Sequence, residues 1–233
     1  MTDLSPKLAF DKVAKNYAQI VDSKPMHLYY EHPNLMALLP EHIAGLNVLD
    51  LGCGTGWYTE QLTKLGAVVT AVDASETMVH LTQQRVPSCH AYVVDLEEPL
   101  IHLGQERFDI IIAPLVIHFI KDWYQLFSQL SKLLKHQGVF VFSTHAPYTD
   151  YMLYKLENYF EKKLITDYWE NIGEVQFYHH TLNELTEALY QANFLIQRML
   201  EPKPLPEMKN VDPKNYTSML TKPWFLFVKA IKQ

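Results

Sequence analysis

Cysteine is nearly missing: Cys53 and Cys89 are the only two in 233 residues. No disulfide framework can be built from them, and a reducing, cytoplasmic setting is the expectation. Arginine is as scarce, with Arg85, Arg107 and Arg198 alone, and the net charge is −6. A surface that neutralises nucleic-acid phosphates is therefore not expected. Long apolar runs are lacking too. The longest, "FDIIIAPLVIHFI" from Phe108 to Ile120, is broken by Asp109, Pro114 and His118. It falls short of the ~20 residues of a membrane span. The start of the chain shows no basic stretch leading into an apolar one, so no signal peptide is expected. What remains is a small or uncharged partner.

The chain is rich in core-forming residues, at 48% hydrophobic and 12% aromatic, enough for one domain with an elaborated cap. Its middle alternates strand and helix. Strands are expected at 47–52, 67–73, 90–95, 107–113 and 138–144, with helices after Gly56, after Ser75 as N-cap, and over 122–135. Short apolar strands spaced by helices predict an α/β fold, a parallel sheet covered on both faces with right-handed crossovers. Residues 1–40 predict a helical cap of two helices, with breaks at Pro25 and Pro33. Nine aromatics among the 31 residues from Tyr148 to Tyr178, without a strand rhythm, predict an inserted lid over 148–180. Thr181 and Glu184 form a capping-box pair opening a helix. Strands are expected at 194–200 and 224–231, paired antiparallel because no crossover helix joins them, with the proline-rich 201–213 as a surface connection. The core spans 41–147 and the C-terminal elements 181–233, all one domain.

Glycine numbers only eight, yet Gly52, Gly54 and Gly56 fall together in "VLDLGCGTGWYTEQL", where a strand turns into a helix. Such a joint lets a ligand approach the backbone beside a helix N-terminus. A dinucleotide fingerprint G-x-G-x-x-G needs its third glycine at 57, where Trp57 stands. Asp73 ends the second strand, placed to accept from both ribose hydroxyls of an adenosine. Asp95, followed by Leu96, ends the third, where an adenine ring would lie.

"VLDLGCGTG", "VDAS..M", "DLEEPL", "FDIIIAPLVIHFIKDW" and "LLKHQGVFVFSTHAP" together resemble the class I S-adenosylmethionine-dependent methyltransferases. The likeness is to the small-molecule group of the quinone-biosynthesis and malonyl-carrier-protein enzymes, strong over about 40–147 and weaker outside. The resemblance implies a Rossmann-like, seven-stranded, mostly parallel sheet with an antiparallel last strand. It implies S-adenosyl-L-methionine as cofactor, leaving S-adenosyl-L-homocysteine. Gly52 and Gly54, with Asp50 beside them, would hold the methionyl part, Asp73 and Ala74 the ribose, Asp95 and Leu96 the adenine. Met78 would pack on the adenine, Ala113 line the methionyl side and Tyr17 close over the cofactor.

Methyl transfer from a sulfonium is an in-line displacement, so positioning and exclusion of water carry most of it. His118 and His145 follow the fourth and fifth strands and are candidates for a general base or acceptor orienter. Tyr29, Tyr30, Tyr148, Tyr178 and His179, with His118, are candidates to wall an acceptor pocket. "APLV" at 113–116 replaces the Pro-Pro-aromatic motif of exocyclic-amine methyltransferases, which disfavours such acceptors. Metal ligands are not expected, since neither "HxxxE" nor paired histidines assemble with a third partner. A small-molecule methyltransferase, monomer or homodimer, is the reading. A non-catalytic S-adenosylmethionine-binding or sensing protein and an NAD(P)-dependent oxidoreductase are the alternatives.

Overall fold

The computed structural model describes residues 20–169 and 172–233. Among the described residues nine strands run in chain order: β1 (Asn47–Leu51), β2 (Val68–Asp73), β3 (His90–Val93), β4 (Phe108–Pro114), β5 (Leu134–His145), β6 (Lys163–Trp169), β7 (Gly173–His179), β8 (Phe194–Leu200) and β9 (Phe225–Lys232). Seven form one sheet in the order β3-β2-β1-β4-β5-β9-β8, and β6 and β7 form a separate pair. β1 to β5 are parallel throughout, while β9 runs antiparallel to both β5 and β8. The expected sheet is found, with its last strand inserted inside rather than at an edge.

Period-two alternation divides the central strands between two cores. Leu49, Leu51, Ile111, Phe140 and Phe142 face one cluster, completed by the helices Trp123–Leu133 and Leu182–Gln191. Val48, Ile110, Ile112 and Val141 face the other, against Leu62, Tyr30 and Met219. Both faces being covered is why these strands read as continuous apolar runs. The expected caps are in place: Ser75 Oγ accepts from Met78 N–H at 3.1 Å, Asp122 from Gln125 N–H at 3.0 Å, and Thr181 from Glu184 N–H at 3.0 Å. The return half of the capping box is not made. Glu184 turns instead to Lys162 Nζ at 2.6 Å and His180 Nδ1 at 3.1 Å.

Three expectations need correcting. The lid contains a β-hairpin, β6–β7, beyond its opening helix Pro147–Leu153. β6 hides its alternation by turning Asp167 inward, where the carboxylate accepts from Tyr154 Oη at 2.6 Å and Trp169 Nε1 at 3.0 Å. Residues 201–213 are not all connection, because the helix Met208–Val211 lies there and Pro213 opens the helix Pro213–Thr221. Proline at the first helical position costs little, since that N–H has no intrahelical partner. Pro33 does not break its helix either. A π-turn, His27–Glu31, runs directly into the helix His32–Met36. The Tyr29 carbonyl, deprived of a donor by Pro33, accepts instead from Leu205 N–H at 2.7 Å. The expected first helix of the cap lies outside the described residues.

Candidate functional site

The joint between β1 and the helix Trp57–Lys64 is held from three sides. Gly52 has φ +66°, and a Cβ there would lie 2.5 Å from Val116 Cγ2. Gly54, at φ +54°, faces open space and donates its N–H to Asp73 Oδ2 at 3.0 Å. Both backbones lie in the left-handed region that glycine adopts without strain. Gly56 serves packing instead, since a Cβ would meet Thr82 at 3.0 Å, and Thr82 Oγ1 donates to the Gly54 carbonyl at 2.9 Å. Ser75 N–H donates to Asp73 Oδ1 at 2.9 Å. Asp73 is thus oriented by two backbone donors. Val94 N–H donates to the Asp73 carbonyl at 2.9 Å, which brings Asp95 alongside.

A cavity of about 490 Å³ opens over this joint. Gly52, Gly54, Asp73 and Ala74 line it on one side, with Met78, Asp95 and Leu96 beyond them. Phe119, Ile120 and Val116, the last packed against Gly52, also line it. Its electrostatics are one-sided. Asp22, Glu31, Asp73, Asp95 and Glu97 all line it, and among the described residues no lysine or arginine does.

The other candidates lie elsewhere. Tyr17 is outside the described residues. Ala113 is fully buried in the core, and its neighbour Pro114 reaches the cavity instead. Tyr30 is fully buried, its hydroxyl accepting from the N–H groups of Trp224 and Phe225 at 3.3 Å each. Tyr29 packs beside it on the same core. Tyr148 is exposed, and Tyr178 is half-buried on the lid hairpin beside the His180 ring. His179 is buried with Nε2 2.9 Å from the Tyr159 carbonyl. His118 and His145 stack face to face, ring centroids 4.0 Å apart, against Phe177 of the hairpin. Phe119 stands 4.2 Å from the His118 ring and is the one of these that lines the cavity. Burial first, then the two neighbouring histidines His145 and His180, hold His118 well below its ordinary pKa. Neither of its ring nitrogens has a hydrogen-bond partner among the described residues.

Asp50 is fully buried beneath the joint, accepting from Thr59 Oγ1 at 2.6 Å. Burial foremost, opposed by the Thr59 hydrogen bond and reinforced by Asp73, pushes its carboxyl up to about 7. An unfolded aspartate titrates near 3.9. Between about pH 4 and 7 the folded chain therefore holds the extra proton, so the contribution of Asp50 to stability is greatest below that window, falls as pH rises through it, and is level above. Asp50→Asn removes that contribution. Its stability advantage is expected to grow from about pH 4 to 7 and stay constant beyond, and urea melts across that range check it; an advantage that does not change with pH is the contrary result.

Sequence reasoning missed one side of the cavity, the π-turn. His27, Glu31 and His32 line it beside Trp57 and Tyr58. Their potential ligand atoms lie within 4.8 Å of one another, although no such cluster was expected. Glu31 is 1% exposed; its Oε2 accepts from Tyr58 Oη and its Oε1 from Ser143 Oγ, both at 2.7 Å. The pattern His-x-x-x-Glu-His, set in an apolar segment, was the available signal. An α-helix would send i and i+5 to different faces.

Residues 49–142 match the family model described as a methyltransferase domain. A malonyl-[acyl-carrier protein] O-methyltransferase from Bacillus cereus is 33% identical over 48% of this chain and 43% of that protein. A ubiquinone biosynthesis O-methyltransferase from Glaesserella parasuis is 30% identical over 58% of this chain and 61% of its own length. The chain thus spans less than two thirds of either of these relatives. The crystal structure of an S-adenosylmethionine dependent methyltransferase from Mesorhizobium loti superposes with a TM-score of 0.75 at 28% identity, covering 87% of this chain and 97% of that one.

Proposed function

We propose, from the premise that the chain is a class I S-adenosylmethionine-dependent methyltransferase, that it methylates a small-molecule acceptor. The observation that carries the reading is the charge of the cavity. The methyl donor brings a sulfonium and an ammonium, and Asp73, Asp95 and Glu97 line the cavity with no lysine or arginine among the described lining residues, while Asp22 is paired with Arg85 at 2.7 Å and burial pushes Glu31 up to about 7. A nicotinamide dinucleotide would set its pyrophosphate beside Asp73 and Asp95 with no lysine or arginine among the described lining residues to meet it. Trp57 also fills the place of the third glycine that a dinucleotide fingerprint needs.

In this reading Gly52 and Gly54 admit the methionyl part, the pre-oriented Asp73 receives the ribose hydroxyls, and Asp95, Leu96 and Met78 take the adenine. Phe119 and Glu31 line the rest of the cavity, where they would exclude water and hold an acceptor for the methyl transfer that the bound cofactor would supply. His118 and His145 stand one ring behind Phe119, which makes them supports of the acceptor wall. Both curated relatives carry O-methyltransferase names, so oxygen acceptors come first in a screen.

A thermal-shift titration with S-adenosylhomocysteine, S-adenosylmethionine, NAD and NADP tests the donor. Ligand at 100 times its dissociation constant adds about 2.7 kcal/mol, which for a chain of this size is roughly 5 to 10 °C. The expected result is a rise with the two sulfur compounds and none with the nucleotides. A rise with NAD or NADP alone overturns the reading.

A further inference from the structure

The geometry points to a binding site for a divalent transition-metal ion formed by His27, Glu31 and His32 on the wall of the cavity. It begins with the backbone. An α-helix advances about 100° per residue, which would leave residue 32 about 140° round from residue 27. Here the His32 N–H bonds to the His27 carbonyl, the i→i+5 pattern of a π-turn. That widening returns position i+5 to the face of position i, and position i+4 lies between them. The proline that follows at 33 leaves the Tyr29 carbonyl to Leu205, so the wide turn is tied down from outside the helix.

The side chains then match what such an ion asks for. The three ligand atoms lie within 4.8 Å of one another, with Glu31 Oε2 3.9 Å from His32 Nε2. Tetrahedral bonds of about 2.0–2.1 Å put ligand atoms about 3.3 Å apart, so the three side chains would close by about 1 Å on an ion. Tyr58 and Ser143 each donate to one Glu31 oxygen at 2.7 Å, and Leu115 N–H donates to Ser143 Oγ at 3.0 Å. A ligating carboxylate oriented from behind in this way is the usual support of a metal site. His32 is 7% exposed and stacked on Trp57 at 3.5 Å and 10°, and its Nδ1 has no partner among the described residues. Two imidazoles and one carboxylate suit zinc, cobalt or nickel better than magnesium or calcium, which prefer all-oxygen shells. Three protein ligands leave a position open to the cavity, where an acceptor oxygen can coordinate. That last role rests on the methyltransferase reading; the ion site itself does not.

The test strips the full chain with chelator and titrates it with Zn²⁺ by calorimetry and with Co²⁺ by visible absorption. Wild type is compared with His27→Ala, His32→Ala and Glu31→Gln. The glutamine variant keeps the shape of the side chain, and thermal melts verify that each variant is folded. The expected result is one ion per chain, tetrahedral cobalt bands, and affinity lowered at least tenfold in every folded variant. No ion on the wild type, or equal affinity in all four proteins, overturns the site. S-adenosylhomocysteine binding, followed in parallel, separates the two readings. Its presence without ion binding removes the metal site alone, whereas ion binding without it supports the site and counts against the methyltransferase reading.

Discussion

Asp73→Ala is expected to lower the affinity for S-adenosylhomocysteine by roughly 10- to 150-fold. A hydrogen bond to a charged group contributes about 1.5–3 kcal/mol, and each 1.36 kcal/mol is a factor of ten. Two features place Asp73 at the upper end. Its carboxylate is fixed by the N–H groups of Gly54 and Ser75, so a ligand does not have to order it. Those same bonds hold the Gly54 turn, so the substitution also loosens the backbone that the ligand approaches. Asp73→Asn, which retains one acceptor oxygen, is expected to fall between wild type and the alanine variant. Calorimetric titration of the folded proteins measures this, and an unchanged dissociation constant for Asp73→Ala rejects the ribose role.

Trp123→Ala is the largest expected loss of stability, about 3–5 kcal/mol for a buried tryptophan truncated in a packed core. For a chain of this length that is roughly 6 to 20 °C in Tm. Trp123 is 1% exposed. Its Nε1 donates to the Ile117 carbonyl at 2.8 Å, and its ring stacks on His180 at 3.8 Å. His180 Nε2 in turn lies 2.9 Å from the Ile120 carbonyl. The pair thus pins the cavity wall, Val116 to Ile120, from behind at two carbonyls. Cofactor affinity should fall together with stability. Trp123→Phe, which keeps most of the apolar burial and leaves the Ile117 carbonyl with its other donor, Ile120 N–H at 3.0 Å, is expected to cost about 0.5–1.5 kcal/mol. Thermal and urea melts decide it, and an alanine variant melting within about 2 °C of wild type contradicts the account.

The parts of the molecule that were legible are those where one physical requirement dominates. β1, β2, β4 and β5 are buried on both faces, so residues such as Val48–Leu51 and Ile110–Ala113 have nothing but apolar side chains to choose from apart from Asp50. Asp73 could be placed because it ends β2 beside the glycine joint, whereas Asp95 lies two residues beyond the end of β3, which stops at Val93 rather than 95. The illegible parts serve two masters. Tyr30 looks like a pocket aromatic, yet its ring stacks on Phe225 with centroids 5.5 Å apart, and its hydroxyl serves two backbone N–H groups. Asp167 disguises a strand because a polar contact occupies an inward position. His32 was unreadable as a cavity residue because its face depends on a hydrogen-bond pattern rarer than the one that spacing arguments assume.

The position of β9 also fixes the order in which the wall of the site can form. Phe225–Lys232 lies between β5 and β8, and the backbone at Trp224 and Phe225 meets Tyr30 next to the π-turn. Leu205 meets Tyr29 there as well. Contacts spanning nearly the whole chain close slowly, and a chain emerging from the ribosome N-terminus first has β1 to β5 in hand long before these partners appear. A nascent chain can therefore lay down most of its parallel sheet, with Trp57, Tyr58 and Ser143 already at hand for His32 and Glu31, while the Tyr29–Tyr30 side of the same turn waits for Leu205, Trp224 and Phe225.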